Sequence, residues 1–203
     1  MTTSIPETVE RPANPPSARL IGSAFPPVLD PCCGTRMFWF DKADGRALFV
    51  DKRREQWRIE TRDCRRREIV VNPDQLADFT ALPFPDDTFA LVVFDPPHSF
   101  NGKGIMGKLY GTLAHGWREE ISAGFAECFR VLCPLGTLIF KWNEHRVPVS
   151  TVLALTPEKP LFGQRCGTTA RTHWIVFMKQ NTEVSDAGTL TPELKPKREP
   201  GIR

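Results

Sequence analysis

Six consecutive apolar residues, Phe89 to Phe94, run without interruption into the tetrapeptide Asp95-Pro96-Pro97-His98. A strand with one wet face alternates apolar and polar side chains, so a run that is apolar at every position predicts a strand covered on both sides. Shorter runs of the same kind occupy residues 27–30 and 47–51, ending on Asp30 and Asp51, and residues 136–142 and 172–178 supply two more. Residues 117–132 instead place Trp117, Ile121, Phe125, Phe129 and Leu132 three or four apart, the stripe of one helix face, before the turn Pro134-Leu135-Gly136. Buried strands alternating with amphipathic helices predict an α/β protein with a Rossmann-like, doubly wound and mostly parallel sheet.

Proline sets the limits of this unit. Nine of the 19 prolines fall in residues 1–27 and 181–203, which also lack a helical or strand period. Neither end carries enough apolar surface to offset the entropy of ordering it. Residues 1–22 and 181–203 are therefore expected to be disordered tails around a single domain of residues 23–180. No run approaches the ~20 apolar residues of a membrane span, and no secretory signal is visible, so a cytoplasmic location is expected. The six cysteines contain no Cys-x-x-Cys pair, which argues for reduced packing residues and against a metal site.

In doubly wound sheets ligands bind beyond the carboxyl ends of the strands. Asp30 is followed there by Pro31-Cys32-Cys33-Gly34, a compact turn where a ligand can approach the backbone closely. Asp51 lies 21 residues after Asp30, about where an acid accepts ribose hydroxyls. Asp78-Phe79 offers a carboxylate beside a ring, suited to an adenine. The turn lacks the glycine pattern that cradles a pyrophosphate, which argues against nicotinamide and flavin cofactors and for a cationic nucleoside without phosphates, such as S-adenosylmethionine.

Asp95-Pro96-Pro97-His98 calls for a different chemistry. The lone pair of an exocyclic amine on adenine or cytosine is delocalised into the ring. A carboxylate at Asp95 and the carbonyl of Pro96 could accept its two hydrogens and draw the nitrogen toward tetrahedral geometry. The prolines stiffen that backbone, and a flat side chain at position 98 can stack on the base. A target in a duplex would have to be flipped out.

With these motifs in place the chain resembles the class I S-adenosylmethionine-dependent methyltransferases of the amino-methylating group, which carry (D/N)PP(Y/F/W) after the fourth strand. The segments from Val28 to Gly34, Ala77 to Phe84, Phe94 to His98 and Phe140 to Glu144, with Thr172-His173-Trp174, resemble small phage and prophage methyltransferases. The resemblance implies that Asp30, Pro31, Cys32 and Gly34 line the methionine part of the cofactor, Asp51 its ribose, and Asp78 and Phe79 its adenine. It implies that Asp95, Pro96, Pro97 and His98 form the catalytic tetrapeptide. His98 departs from the aromatic Tyr, Phe or Trp of the wider group, which bears on the substrate more than on the cofactor.

Candidate substrate contacts come from two further places. Lys141, Trp142 and Asn143 end the strand beside the one that delivers Asp95, with Trp142 read either as a second stacking surface or as core. The connection 99–116 carries Lys103, Lys108 and Tyr110. Residues 52–68 hold eight Lys or Arg against four acids, and Arg54, Arg58, Arg62 and Arg66 would share a face if this segment were helical. Such a patch is either a solvated face or a phosphate contact.

The expected function is methyl transfer from S-adenosylmethionine to a nucleobase amine, N6 of adenine before N4 of cytosine, in DNA before RNA, without a metal. The alternatives are a methyltransferase acting on a protein amide or small molecule, and an inactive module that binds cofactor or nucleic acid. A domain of this size leaves no separate target-recognition domain, so specificity would be loop-borne or supplied by a second subunit, as in a homodimer.

Overall fold

The computed structural model describes residues 24–60, 66–100, 105–113, 115–166 and 171–181, without the side chains of Arg67, Met106, Arg165 and Cys166. The expected tails, Lys103 and Arg62 lie outside the described residues, save residue 181. In chain order the elements are β1 (Val28–Asp30), β2 (Ala47–Asp51), β3 (Glu55–Glu60), β4 (Arg66–Val71), β5 (Gln75–Leu76), β6 (Phe89–Phe94), α1 (Ile105–Tyr110), α2 (Trp117–Val131), β7 (Leu132–Asn143), α3 (Val149–Leu153), β8 (Phe162–Cys166) and β9 (Thr172–Met178).

Seven strands form one sheet in the order β5-β2-β1-β6-β7-β9-β8, while β3 and β4 form a separate hairpin. The pairs β1 with β2, β1 with β6, β2 with β5 and β6 with β7 are parallel; β9 runs antiparallel to both β7 and β8. The order reverses at β1, between β2 and β6, and a reversal of this kind opens a crevice at the strand ends.

Within β2, Leu48 and Val50 face the larger core cluster while Ala47 and Phe49 face a smaller one, as the two-residue period of a strand requires. The larger cluster is sealed by α2. Its Phe125 meets the rings of Phe94, Phe140 and Phe177 with centroids 5.5, 4.8 and 6.0 Å away. Burying such a side chain stabilises by about 2–3 kcal/mol. α2 approaches the sheet closely because position 124 is glycine: a Cβ there would lie 2.7 Å from both Phe79 and Phe94.

The opposite face is covered differently from the expectation of helices on both sides. Between β1 and β2 the chain forms turns rather than a helix, and Trp39 from these turns packs edge-on against Phe49 at 4.9 Å.

Two further expectations need correction. The described part of residues 52–68 is not helical: Glu55 to Glu60 pair antiparallel with Arg66 to Val71, so Arg54, Arg58 and Arg66 share no helix face. Strand pairing through Trp57↔Ile69 outweighs the local arginine spacing. The strand expected at 136–142 begins at Leu132, because Pro134-Leu135-Gly136 is absorbed as an irregularity between the pairs Phe89↔Leu132 and Leu91↔Thr137. Leu135 sits there at a left-handed φ of 63°. Its N–H donates to the Lys179 carbonyl at 3.1 Å, which secures the distortion.

Candidate active site at the carboxyl ends of the strands

A cleft of about 350 Å³ opens over the ends of β1, β2 and β6. Pro31 and Cys32 reach it from β1, Asp51 and Arg53 from β2, Pro97 from β6, and Lys108 and Tyr110 from α1, with Phe79 and Trp57 completing the wall. Its volume falls in the usual range for ligand sites. The strand-end residues named from the sequence thus converge on one place, although not all face it equally.

Asp30 is fully buried below this cleft. Its Oδ2 accepts the indole N–H of Trp39 at 2.8 Å and its Oδ1 the backbone N–H of Cys32 at 3.3 Å. Burial pushes its carboxyl up to about 7; the Trp39 bond opposes this, and the nearby Asp95 charge adds to it. Burial, with the charges of Asp30 and Asp95, also drives the Cys32 thiol up, so it stays neutral as a packing residue should.

Asp51 is saturated. Its Oδ2 accepts the Gly34 N–H at 3.0 Å, its Oδ1 the Arg53 N–H at 2.9 Å, and the Arg53 guanidinium adds bonds of 3.1 and 3.3 Å. Arg53 also donates to the Lys108 carbonyl at 3.1 Å, tying α1 to the strand end. Gly34 is required where it stands: its φ is +49°, and a Cβ would lie 2.9 Å from the Leu109 carbonyl oxygen. Asp78 lies at the margin, with its Oδ1 accepting the Thr80 N–H and hydroxyl and its Oδ2 3.6 Å from Lys52. Phe79 is mostly core, edge-on to Phe94 at 5.4 Å, with one side on the cleft.

Asp95 is 8% exposed. Its Oδ2 accepts the ammonium of Lys141 at 2.5 Å, whereas Oδ1 has no hydrogen-bond partner among the described residues. Burial raises its carboxyl above the ordinary value, against the pull of Lys141. His98 lies beside it with its ring 5.7 Å from Tyr110 and 6.1 Å from Trp142, and burial holds the imidazole below its usual range. A small separate pocket lined by Cys32, Phe38, Asp95 and Tyr110 shares Cys32 and Tyr110 with the cleft.

Three substrate expectations change. Trp142 is wholly buried, donates its indole N–H to the Val147 carbonyl at 3.0 Å and stacks on Phe140, so it is core and offers no face to a ligand. Asn143 is spent on local structure, donating to Thr172 Oγ1 and accepting the His145 N–H, both at 3.0 Å. Lys141 turns inward to Asp95 instead of standing at a pocket mouth. Lys108 and Tyr110 do line the cleft. Sequence reasoning missed Trp39, Arg53 and Phe38, none of which belongs to a motif; each joins the site through a contact that exists only in the folded chain.

No protein-family model matches the chain, and no curated protein matches it. Among solved structures, the PH0226 protein of Pyrococcus horikoshii OT3 aligns with a TM-score of 0.50 at 17% identity, covering 75% of this chain and 81% of its own. A SAM-dependent methyltransferase from Methanosarcina mazei aligns with a TM-score of 0.45 at 12% identity over 75% of this chain and 92% of its own. The 1,6-didemethyltoxoflavin-N1-methyltransferase of Burkholderia thailandensis, crystallised with 1,6-didemethyltoxoflavin and S-adenosylhomocysteine, aligns with 0.47 at 12% over 76% and 71%. At these identities the likeness is one of fold: this chain has a Rossmann-like, mostly parallel sheet.

Proposed function

We propose that this protein is an S-adenosylmethionine-dependent methyltransferase that methylates an exocyclic amine of a nucleobase, N6 of adenine in preference to N4 of cytosine, in DNA in preference to RNA. The observation that carries the reading is Asp95 Oδ1, a buried acceptor without a partner among the described residues, at the end of a central strand and beside two prolines. A buried oxygen left unpaired costs about 1–3 kcal/mol, and an amine hydrogen would satisfy it.

When bound, S-adenosylmethionine supplies an electrophilic methyl group on a sulfonium. Of the three strand-end carboxyl groups, Asp51 lines the cleft beside Lys52 and Arg53, while Asp30 and Asp95 are buried at the adjoining ends of β1 and β6. Asp51 would hold the ribose by exchanging Arg53 for hydroxyls, Phe79 would bound the adenine, and Pro31, Cys32 and Gly34 the methionine part. Asp95 Oδ1 and the Pro96 carbonyl would accept the two amine hydrogens, and the rigid Pro96-Pro97 backbone would keep them in place. The rings of His98 and Tyr110 would flank the base. Rate enhancement then comes from positioning and fixed electrostatics. Arg58 on the β3–β4 hairpin, 88% exposed and 3.7 Å from Glu68, is an exposed cation that a polyanionic substrate would meet.

Incubation with methyl-labelled S-adenosylmethionine and, separately, single-stranded DNA, duplex DNA, RNA and a protein extract tests the reading. Label is expected in DNA and absent with Asp95→Ala. Label confined to protein or to small molecules would replace the nucleobase reading, and cofactor binding without transfer to anything would leave a binding module.

A further inference from the structure

The ammonium of Lys141 is enclosed by three aromatic rings from three different parts of the chain. Its Nζ lies 5.3 Å from the ring centre of Phe38, in the turns after β1, 5.7 Å from Trp174 in β9, and 5.9 Å from Tyr110 in α1. The strand register places Lys141 directly opposite Trp174, so one ring is supplied by backbone pairing alone. Within this enclosure the ammonium makes its 2.5 Å bond to Asp95 Oδ2. Ring faces attract a cation and hold it most firmly where water is scarce.

We propose that Lys141 is a positioning residue that keeps the buried Asp95 carboxylate ionised and rotated so that Oδ1 alone faces the target amine. The proposal rests on the reading of Asp95 as the amine acceptor. A carboxylate nearly sealed from water is disfavoured as an anion unless a paired charge compensates it. Only the anion can accept an amine hydrogen at either oxygen; the protonated acid would present a donor. Because Lys141 occupies Oδ2, the two oxygens have separate duties, and the rings prevent the ammonium from following the substrate. The other titratable groups around Asp95 are His98 on its own segment, Asp30 and Cys32 at the end of β1, and Tyr110 from α1. Asp30 and Asp95 oppose one another's ionisation, so Lys141 is the cation that offsets both burial and repulsion.

The test is a titration of the Asp95 carboxyl itself, followed by carbon NMR in full-length protein labelled at the aspartate carboxyl carbon and assigned with Asp95→Asn. Lys141→Met and Lys141→Gln are expected to raise its midpoint by about one pH unit or more, a tenfold loss of anion below that midpoint. Lys141→Arg, which keeps the charge, is expected to stay close to wild type. If both uncharged variants titrate like wild type, the proposal is overturned. The second readout is transfer to an adenine-containing single-stranded oligonucleotide. There the acidic limb of kcat is expected to move upward by the same amount in Lys141→Gln, with KM for the oligonucleotide unchanged. Absence of transfer by the wild-type protein would count against the proposed function alone, because the carboxyl titration decides the role of Lys141 independently.

Discussion

Trp39 donates its indole N–H to the carboxyl of Asp30 across 2.8 Å, linking a turn that has no regular structure to the end of a central strand. A side chain from the β1–β2 turns thus reaches the buried acid next to the cleft. Asp30 titrates near 7 in the fold against an ordinary value of 3.8. The unfolded chain therefore gives up this proton first as pH rises. The contribution of Asp30 to stability is full below about 4 and is lost as pH rises through 7, on the order of a few kcal/mol. Chemical denaturation of wild type and Asp30→Asn between pH 4 and 8 checks this: the advantage of wild type over the variant should shrink as pH rises. A difference that stays constant would contradict it.

Arg53 and a ribose would compete for the same carboxylate. Replacing Arg53 by Ala frees Asp51 and removes a positive charge from a cleft read as binding a cation. S-adenosylmethionine is expected to bind Arg53→Ala several-fold more tightly by isothermal titration calorimetry, the net value of one ordinary hydrogen bond, about 1 kcal/mol. Weaker binding would show instead that the tie from Arg53 to the Lys108 carbonyl matters more than the freed carboxylate.

Gly124 lets α2 sit against Phe79 and Phe94. Gly124→Ala brings a methyl to 2.7 Å from both rings, so helix or rings must move. Overpacking of this kind costs about 1–3 kcal/mol, and alanine's better helix propensity returns at most about 1. A lower thermal midpoint is expected, with weaker cofactor binding because Phe79 also bounds the cleft. A midpoint equal to or above wild type would contradict the packing account.

The hairpin should matter to nucleic acid more than to cofactor. Arg58→Glu reverses one exposed charge and is expected to weaken binding to single-stranded DNA several-fold at low salt, with a shallower salt dependence by about one counterion. Cofactor affinity should be unchanged. Fluorescence anisotropy at several salt concentrations measures the first effect and calorimetry the second.

Much of the sheet was legible because its strands are buried on both faces. Phe89–Phe94, Ala47–Asp51 and Thr172–Met178 have the bounds expected from the sequence. The β3–β4 hairpin was not, even though Trp57 and Ile59 alternate with polar residues in strand fashion. Arginines four apart suggested a helix, and only the pairing with Ile69 and its neighbours decides otherwise. Asp30, Asp51 and Asp95 were legible as candidate site residues because Asp30 and Asp51 end strands and Asp95 follows one directly. Their partners were not: Arg53 folds back onto Asp51 and across to Lys108, and Phe38 meets Lys141 over a span of about a hundred residues. Trp142 misled because strand-end position alone does not say which side a ring faces; its indole is turned to Val147 in the core.

The central claim is that Asp95 presents one buried oxygen to a nucleobase amine. It is tested most directly by mass spectrometry of nucleosides digested from DNA after incubation with S-adenosylmethionine, comparing wild type with Asp95→Ala. The account predicts N6-methyladenosine-type deoxynucleoside with the wild-type protein and none with the variant. Methylated adenine at equal levels with both proteins, or no methylated base from a wild-type protein that binds the cofactor, would contradict it.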